Sequence, residues 1–301
     1  MRLPFLQQLF YSGCSTAARP GKGMIETIAT VDSNLELAPG YRLLTLNFDQ
    51  DIKAEPGQFA MLRAEAAFEP LLRRAMAVYS AGGPRQLSFL FQVLGRGTRA
   101  LSEVARRGKV EALVPLGNSW PVGFDSAKER SPRRAIVVAG GIGSASVLTL
   151  CRALRDSRTE TQIFFGAASS RAAAGCGLED FRALGLPLTI STDDGSLGEQ
   201  GFVTAPLERH LGEAGGRGAR VYACGPWVMM KRVAEIAARY EAETLVSLEA
   251  PMGCGFGVCV GCVVAVKTDE PAGYGTYKRV CIDGSIFPAE MIRWEINAMT
   301  H

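Results

Sequence analysis

The chain has 301 residues, of which 47% are apolar, and its 33 Lys and Arg nearly balance 30 Asp and Glu. This length and composition allow more than one buried core, so we expect several domains. The near-neutral charge, without a long basic run, argues against nucleic acid or an anionic membrane as partner. No apolar run approaches the ~20 residues that span a bilayer.

Residues 1–23 are predicted to be an N-terminal extension, because their short apolar patch is broken by Pro4, Gln7 and Gln8 and makes a poor signal-peptide core. Four of the eight cysteines lie in the last 50 residues, and the others are single. This distribution favours a reduced, cytoplasmic compartment and a metal site over disulfides.

Residues 24–127 contain short apolar or alternating runs separated by Gly and Pro. The runs are MIETIATVDS, YRLLTLNF, QFAMLRA, RRAMAVYS and QLSFLFQVLG. They predict an antiparallel barrel or sandwich, interrupted by one helix at about Ala100 to Arg107. Arg74 before one strand and the turn GRGT, which contains Gly97 and Thr98, form a candidate clamp for a phosphate-bearing cofactor. Each feature taken singly also fits a structural role.

Residues 128–248 alternate between strand and helix patterns. The strand candidates are AIVVAG, TQIFFGA, LPLTISTDD, RVYACG and ETLVSLEA. After the first of them, Val147, Leu148, Cys151 and Leu154 share one helical face. This alternation predicts a parallel sheet covered by helices on both faces, with ligands at the carboxyl ends of its strands.

Two loops in this region are candidate dinucleotide sites. Gly140, Gly141 and Gly143 lie between a strand and a helix, where backbone N–H groups and the helix dipole can receive a pyrophosphate. The loop departs from G-x-G-x-x-G, and a plain tight turn is the alternative. The second loop, Cys224–Gly225–Pro226, ends a strand and places Pro226 in a first helical turn. Cys224 is either a buried apolar residue or a wall of the cofactor site.

The segment CGFGVCVGC contains Cys254, Cys259 and Cys262, and Cys281 follows after a Pro and Gly loop. Strand-like runs on both sides of that loop predict a hairpin that returns Cys281 to the other three. The C-x4-C-x2-C spacing is that of plant-type [2Fe-2S] loops, in which glycine lets the backbone wrap the cluster closely. A structural zinc site, or cysteines without metal, is the alternative.

With these motifs in this order, the chain resembles the electron-transfer subunits of NAD-dependent dihydroorotate dehydrogenase, in the ferredoxin reductase superfamily. The likeness runs from about Met24 to Trp294 and is most specific in SLEAPMGCGFGVCVGCVV and YKRVCIDGSIFPAEMIRW. It implies an antiparallel FAD-binding barrel at 24–127, a parallel-sheet NAD(P)-binding domain at 128–248 and a [2Fe-2S] subdomain at 249–301.

The resemblance also implies positions for the cofactors. Residues expected to contact FAD are Arg74, Ala75, Met76, Ala77, Leu90, Phe91, Gln92, Gly97 and Thr98. Those expected at the NAD(H) site are Gly140, Gly141, Gly143, Cys224, Gly225 and Pro226, and the four cysteines are the expected cluster ligands. The family usually has Arg-Pro, an apolar residue and then Ser or Thr in the flavin strand, so Ala75 and Ala77 are departures. The interval before Cys281 is also longer than the family pattern.

The implied function is electron transfer from NAD(H) through FAD and the cluster to an FMN-containing catalytic subunit, in a heterotetramer that serves pyrimidine biosynthesis. A reductase subunit for a hydrogenase, a ferredoxin or a sulfur-reducing partner is one alternative. A flavin-free redox sensor or scaffold, which Ala75 and Ala77 would allow, is another. NAD versus NADP stays open, because residues 169–171 suit either a 2′-phosphate site or a solvated loop.

Overall fold

The computed structural model describes residues 23–65, 69–122, 134–268 and 274–296. The expected N-terminal extension, Cys14 and the expected domain boundary at residue 127 lie outside these ranges. None of the described helices is both long and apolar enough to cross a bilayer.

An antiparallel sheet with the strand order β4-β3-β7-β1-β2-β6-β5 forms the first part of the fold. Its strands are β1 (Ile25–Ala38), β2 (Tyr41–Asn47), β3 (Phe59–Ala64), β4 (Arg74–Ala77), β5 (Ser80–Gly83), β6 (Gln86–Gln92) and β7 (Lys109–Leu116). After β4, the Tyr79 N–H donates to the Ser88 carbonyl in β6, which draws the two edges of the curled sheet together. The predicted barrel architecture is confirmed, with β5 and β7 as strands that the sequence runs did not predict.

The barrel helix begins and ends earlier than predicted. Helix α1 spans Arg96–Ser102, so the expected Ala100–Arg107 range was wrong. The start moves because the Thr98 hydroxyl accepts hydrogen bonds from the backbone N–H groups of Leu94 and Gly95 and fixes the first turn. At the other end, the Asn34 amide donates to the carbonyls of Leu101, Ser102 and Val104, in and just after the last turn.

The second part is a largely parallel sheet with the order β11-β10-β9-β8-β12-β13-β16. Its strands are β8 (Arg134–Gly140), β9 (Glu160–Ala167), β10 (Leu188–Thr192), β11 (Glu199–Gln200), β12 (Ala219–Cys224), β13 (Glu243–Ser247) and β16 (Ile286–Pro288). Its helices are α2 (Ser144–Asp156), α3 (Ser170–Gly175), α4 (Leu178–Arg182), α5 (Thr204–Ala214) and α6 (Trp227–Arg239). The predicted helical stripe Val147, Leu148, Cys151 and Leu154 lies on α2 and is fully buried.

The chain enters this sheet at β8 in its middle, builds outward through β9 and β10, and then returns to β12 on the other side of β8. The order therefore reverses between β8 and β12. In open α/β sheets such a switch point opens a crevice at the carboxyl ends of the strands, where ligands bind.

The C-terminal region contains the predicted hairpin, formed by β14 (Val263–Ala265) and β15 (Tyr277–Arg279). Cys281 does not lie on a strand as expected but on a short helical turn, α7 (Val280–Asp283). The Asp283 carboxylate accepts a hydrogen bond from the Arg279 N–H at 2.7 Å, which closes this turn. The chain then returns to the parallel sheet, where β16 pairs antiparallel with β13.

Candidate functional site

The two glycine-containing loops meet at the switch point. Gly140 ends β8, a 3-10 turn spans Gly141–Gly143, and α2 follows. Cys224 ends β12, and Pro226 is the N-cap of α6, one residue before the predicted position. A Cβ on Gly143 would lie 2.5 Å from the Cys224 carbonyl, so only glycine permits this approach of the two backbones.

A cavity of about 770 Å³ lies over these loops. All the sequence-predicted NAD(H) residues except Cys224 line it: Gly140, Gly141, Gly143, Gly225 and Pro226. Ala167 and Asp193, at the ends of β9 and β10, extend the lining along the carboxyl edge of the sheet. The cavity therefore occupies the crevice that the topology predicts for a dinucleotide.

A second cavity of about 250 Å³ separates the barrel from the parallel sheet. Its barrel side includes most of the predicted FAD residues: Ala75, Met76, Ala77, Leu90, Phe91, Gln92 and Thr98. Arg74 and Gly97 are outside the lining but contact each other, because a Cβ on Gly97 would lie 2.0 Å from the Arg74 Nε. The sheet side includes Gly143 and Cys224.

The two cavities have a common wall. The residues that line both are Gln92, Ile142, Gly143, Leu248, Glu249 and Ala250. A ring in the smaller cavity and a dinucleotide in the larger one would therefore be neighbours, as hydride transfer between two cofactors requires.

The four C-terminal cysteines form two close pairs. The Cys259 N–H donates to the Cys254 sulfur at 3.5 Å. Burial raises the pKa of Cys254, but backbone N–H donors, from Cys259 first, more than offset this and lower it to about 7. In the second pair, the Cys281 thiol donates to the Cys262 sulfur, which lowers the pKa of Cys262 and raises that of Cys281. Each pair thus holds one thiolate readily.

This donor set fits a binuclear cluster. Within the described ranges, no three side chains of His, Cys, Asp or Glu meet as ligands of one metal ion would. Two thiolates at each of two irons is the ligand set of a [2Fe-2S] cluster, and the two cysteine pairs match it. Tetrahedral zinc would need all four sulfurs around one point.

The cysteine loop lies directly against the barrel. Gly255 adopts φ +83°, and a Cβ there would lie 2.4 Å from the Met61 Cγ of strand β3. Phe59, on the same strand, lines the smaller cavity, as does Met252, two residues before Cys254. The Arg279 guanidinium donates to the Gly257 carbonyl at 3.0 Å and holds the loop from its outer side. The cysteine loop and the smaller cavity are thereby placed side by side.

Comparison with known proteins agrees with this arrangement. Residues 249–293 match the family model of the iron-sulfur cluster binding domain of dihydroorotate dehydrogenase B. The chain is 34% identical to the dihydroorotate dehydrogenase B (NAD(+)) electron transfer subunit of Desulforamulus reducens, over 80% of this chain and 88% of that protein. The subunit of Geobacillus thermodenitrificans is 35% identical, over 78% and 85%.

This chain belongs to the family of dihydroorotate dehydrogenase B electron transfer subunits.

Solved structures of other electron-transfer proteins have a similar fold. An NADH-dependent reduced ferredoxin-NADP oxidoreductase matches with a TM-score of 0.74 at 24% identity, over 90% of this chain and 91% of that one. Phthalate dioxygenase reductase, described as a modular structure for electron transfer from pyridine nucleotides to [2Fe-2S], matches with a TM-score of 0.57 at 16% identity, over 87% and 95%. The predicted family and fold are thus confirmed.

Some residues of the site were missed by the sequence reasoning. Ser146, Ser247 and Ser285 line the smaller cavity, and Glu249 lines both cavities. Ser146 follows the Gly140–Gly143 turn, and Ser247 and Glu249 belong to the strand candidate ETLVSLEA, but the sequence predicted no role for these three polar side chains. Nothing in the local sequence marks Ser285 as part of the same cavity.

Proposed function

We propose that this chain passes electrons between NAD(H) and the FMN-containing catalytic subunit of a cytoplasmic dihydroorotate dehydrogenase, through FAD and a [2Fe-2S] cluster. The observation that carries the proposal is the common wall of the two cavities, together with the cysteine loop packed on the barrel strand beside the smaller one. The larger cavity, the smaller cavity and the cysteine loop are adjacent in this order, which suits stepwise electron transfer from NAD(H) through FAD to the cluster. All described cysteines are free thiols, which supports a reducing compartment.

The proposal includes the division into an FAD-binding domain at 24–127, an NAD(H)-binding domain at 128–248 and a cluster subdomain at 249–301. The separate barrel and parallel sheet support the first two. The third would remain joined to the second, because β16 extends its sheet. When bound, FAD accepts an electron pair as hydride and gives up single electrons, which is what connects NADH to a one-electron cluster.

On the flavin side, strands β4 and β6 would form one wall for the ring, and Ala75 and Ala77 leave the cavity open. The cavity is present although Ala75 and Ala77 depart from the family pattern, which supports FAD binding over a flavin-free scaffold. Arg74 would be held in place by the backbone of α1 at Gly97, from which its guanidinium can reach a phosphate.

On the nicotinamide side, Gly143 lets the β8 loop lie against the Cys224 backbone, so both loops present backbone groups to one ligand. Burial raises the pKa of the Cys224 thiol to about 12. Cys224 therefore stays protonated at neutral pH and serves as a neutral wall of the smaller cavity, with no role as nucleophile or base.

At the cluster, Cys254 and Cys259 would ligate one iron, and Cys262 and Cys281 the other. Backbone N–H groups that favour the Cys254 thiolate would also stabilise cluster sulfur. Arg279 would hold the loop closed through its bond to the Gly257 carbonyl.

The proposal is tested by purifying the protein without oxygen, recording its absorption spectrum and adding NADH. We expect flavin and cluster bands that bleach with NADH. Mixing with an FMN-type dihydroorotate dehydrogenase subunit should then give dihydroorotate-dependent reduction of NAD⁺. A colourless protein contradicts the proposal, and a coloured protein that reduces only a ferredoxin or a hydrogenase favours the alternative partner.

A further inference from the structure

The smaller cavity is polar mainly on the side of the parallel sheet. The facing part of β4, from Ala75 to Ala77, has no side-chain hydrogen-bonding group. Ser146, Ser247 and Ser285 line the same cavity and are only 5%, 4% and 7% exposed. Three buried hydroxyls are therefore gathered at a site whose barrel strand β4 offers none.

These hydroxyls form a chain. The Ser146 hydroxyl donates to the Ser247 Oγ at 3.1 Å, and the Ser247 and Ser285 hydroxyls are 3.3 Å apart, where either is able to donate. Three hydroxyls have three hydrogens, and two bonds use two of them. The Cys224 sulfur lies within reach of Ser146 and Ser247 but is a weak acceptor. One hydroxyl hydrogen is thus left for a stronger acceptor.

Burying a hydroxyl is unfavourable unless it is hydrogen-bonded. The polar edge of a ligand in the cavity would supply the acceptor that the serine chain needs. The edge of a flavin ring has carbonyl and nitrogen acceptors, and one of its nitrogens becomes an N–H donor when the ring is reduced. Because the bond between Ser247 and Ser285 has no fixed direction, this pair is able to donate to one form of the ring and to accept from the other.

We propose that Ser247 and Ser285 hydrogen-bond the polar edge of the flavin ring and that Ser146 orients Ser247. The inference rests on the proposed function, in which this cavity receives FAD. It assigns to the sheet-side serines the hydrogen bonds that Ala77 is unable to make.

The test compares Ser247→Ala and Ser285→Ala with the wild-type full chain, each loaded with FAD and cluster. We expect ~3- to 10-fold weaker FAD binding for each, as one lost hydrogen bond implies. The position of the flavin absorption band and the midpoint potential of the bound flavin should also shift, which a merely structural role would not produce. Ser146→Ala should change the same quantities less, because Ser146 acts through Ser247.

Ser144→Ala is the matched control. Ser144 is a buried serine on helix α2, which also carries Ser146. Its hydroxyl donates to the Cys176 carbonyl at 2.7 Å, and it does not line the smaller cavity. If the flavin band, potential and affinity of Ser247→Ala and Ser285→Ala match those of Ser144→Ala, the inference is overturned. If Ser247→Ala does not fold, Ser285→Ala and Ser146→Ala decide in its place. Wild-type protein that binds no FAD would overturn the proposed function as well, so the two failures are distinguishable.

Discussion

The Tyr79 hydroxyl, on the barrel, donates a 2.5 Å hydrogen bond to the Asp180 carboxylate on helix α4 of the parallel-sheet region. Tyr79 is almost fully buried, and burial, followed by the bond to Asp180, raises the pKa of its hydroxyl. Gly177 lies against the same hydroxyl, at a distance that leaves no room for a side chain. The bond therefore joins the two halves of the fold that enclose the smaller cavity.

Replacing Tyr79 by Phe should loosen this junction. A buried hydrogen bond to a charged group contributes about 1.5–3 kcal/mol, so we expect Tyr79→Phe to lower the free energy of unfolding by that amount. Denaturant titration measures the change. Tyr277→Phe is the control, since the Tyr277 side chain is half exposed, and equal stability of the two variants would contradict the assigned role.

The approach of Gly143 to the Cys224 backbone gives a second prediction. Gly143→Ala places a Cβ 2.5 Å from the Cys224 backbone, too close for two non-bonded atoms, so the two loops must move apart. We expect FAD to remain bound while reduction of the flavin by NADH slows at least ~10-fold, because a small misplacement in a reacting pair has a large effect on rate. Stopped-flow bleaching of the flavin band measures this. Gly83→Ala, which meets open space, should leave the rate unchanged.

The cysteine pairs predict a loss of cluster without a loss of flavin. Cys259→Ser removes a ligand from the first pair, and Cys281→Ser removes one from the second. Both variants should lose the cluster absorption, and their iron content should fall below about two per chain. NADH should still bleach the flavin. Cys176→Ser, at a buried thiol remote from the four ligands in sequence, is the control. Zinc in place of iron in the wild-type protein would contradict the assignment.

The parts of the site that could be predicted from the sequence are those whose residues lie close together along the chain. The spacing of Cys254, Cys259 and Cys262 and the Gly140–Gly143 turn each lie within nine residues, so their pattern shows in the chain itself. The serine chain joins Ser146 to Ser247 and Ser247 to Ser285, across 101 and 38 residues. Only the parallel sheet brings these three together, and no periodicity marks them in advance.

The misplaced elements have similar causes. Strand β7, KVEALVPL, was not among the predicted strands. It contains Pro115, a residue that weakens a strand pattern, but Pro115 lies next to the last residue of β7, where the loss of its N–H disturbs the sheet least. Cys281 follows a run with strand character, and the turn that holds it depends on the Asp283 carboxylate. Side chains that bond to backbone across a turn compete with regular secondary structure, and propensity alone does not show which wins.

Coenzyme preference should depend on Asp193, which lines the larger cavity at the end of β10. Its neighbour Asp194 is occupied by hydrogen bonds from Ser196, whereas no described residue bonds the Asp193 carboxylate. Residues 169–171, the expected alternative for a 2′-phosphate, do not line the cavity. An acidic group at this sheet edge suits ribose hydroxyls and repels a 2′-phosphate.

We therefore expect NADH to bind more tightly than NADPH. Asp193→Asn should shift the ratio of the two dissociation constants by ~10-fold toward NADPH, because one charge repulsion is removed. Titration of each coenzyme into the protein measures the ratio. Asp156→Asn, at the exposed end of α2, is the control, and an unchanged ratio in Asp193→Asn would exclude the role of Asp193.

Buried thiols away from the cluster predict a loss of stability at alkaline pH. Burial raises the pKa of Cys176 to about 12, above the ordinary thiol value of about 8.5 that it regains on unfolding. Folding therefore favours the protonated thiol, and this contribution is fully present below about pH 8.5 and is lost as the pH rises toward 12. Between pH 9 and 11, the free energy of unfolding should fall more steeply in the wild type than in Cys176→Ala, by about 1.4 kcal/mol per pH unit. Denaturant titrations at stepped pH test this, and parallel curves for the two proteins would mean that Cys176 is not shielded from water.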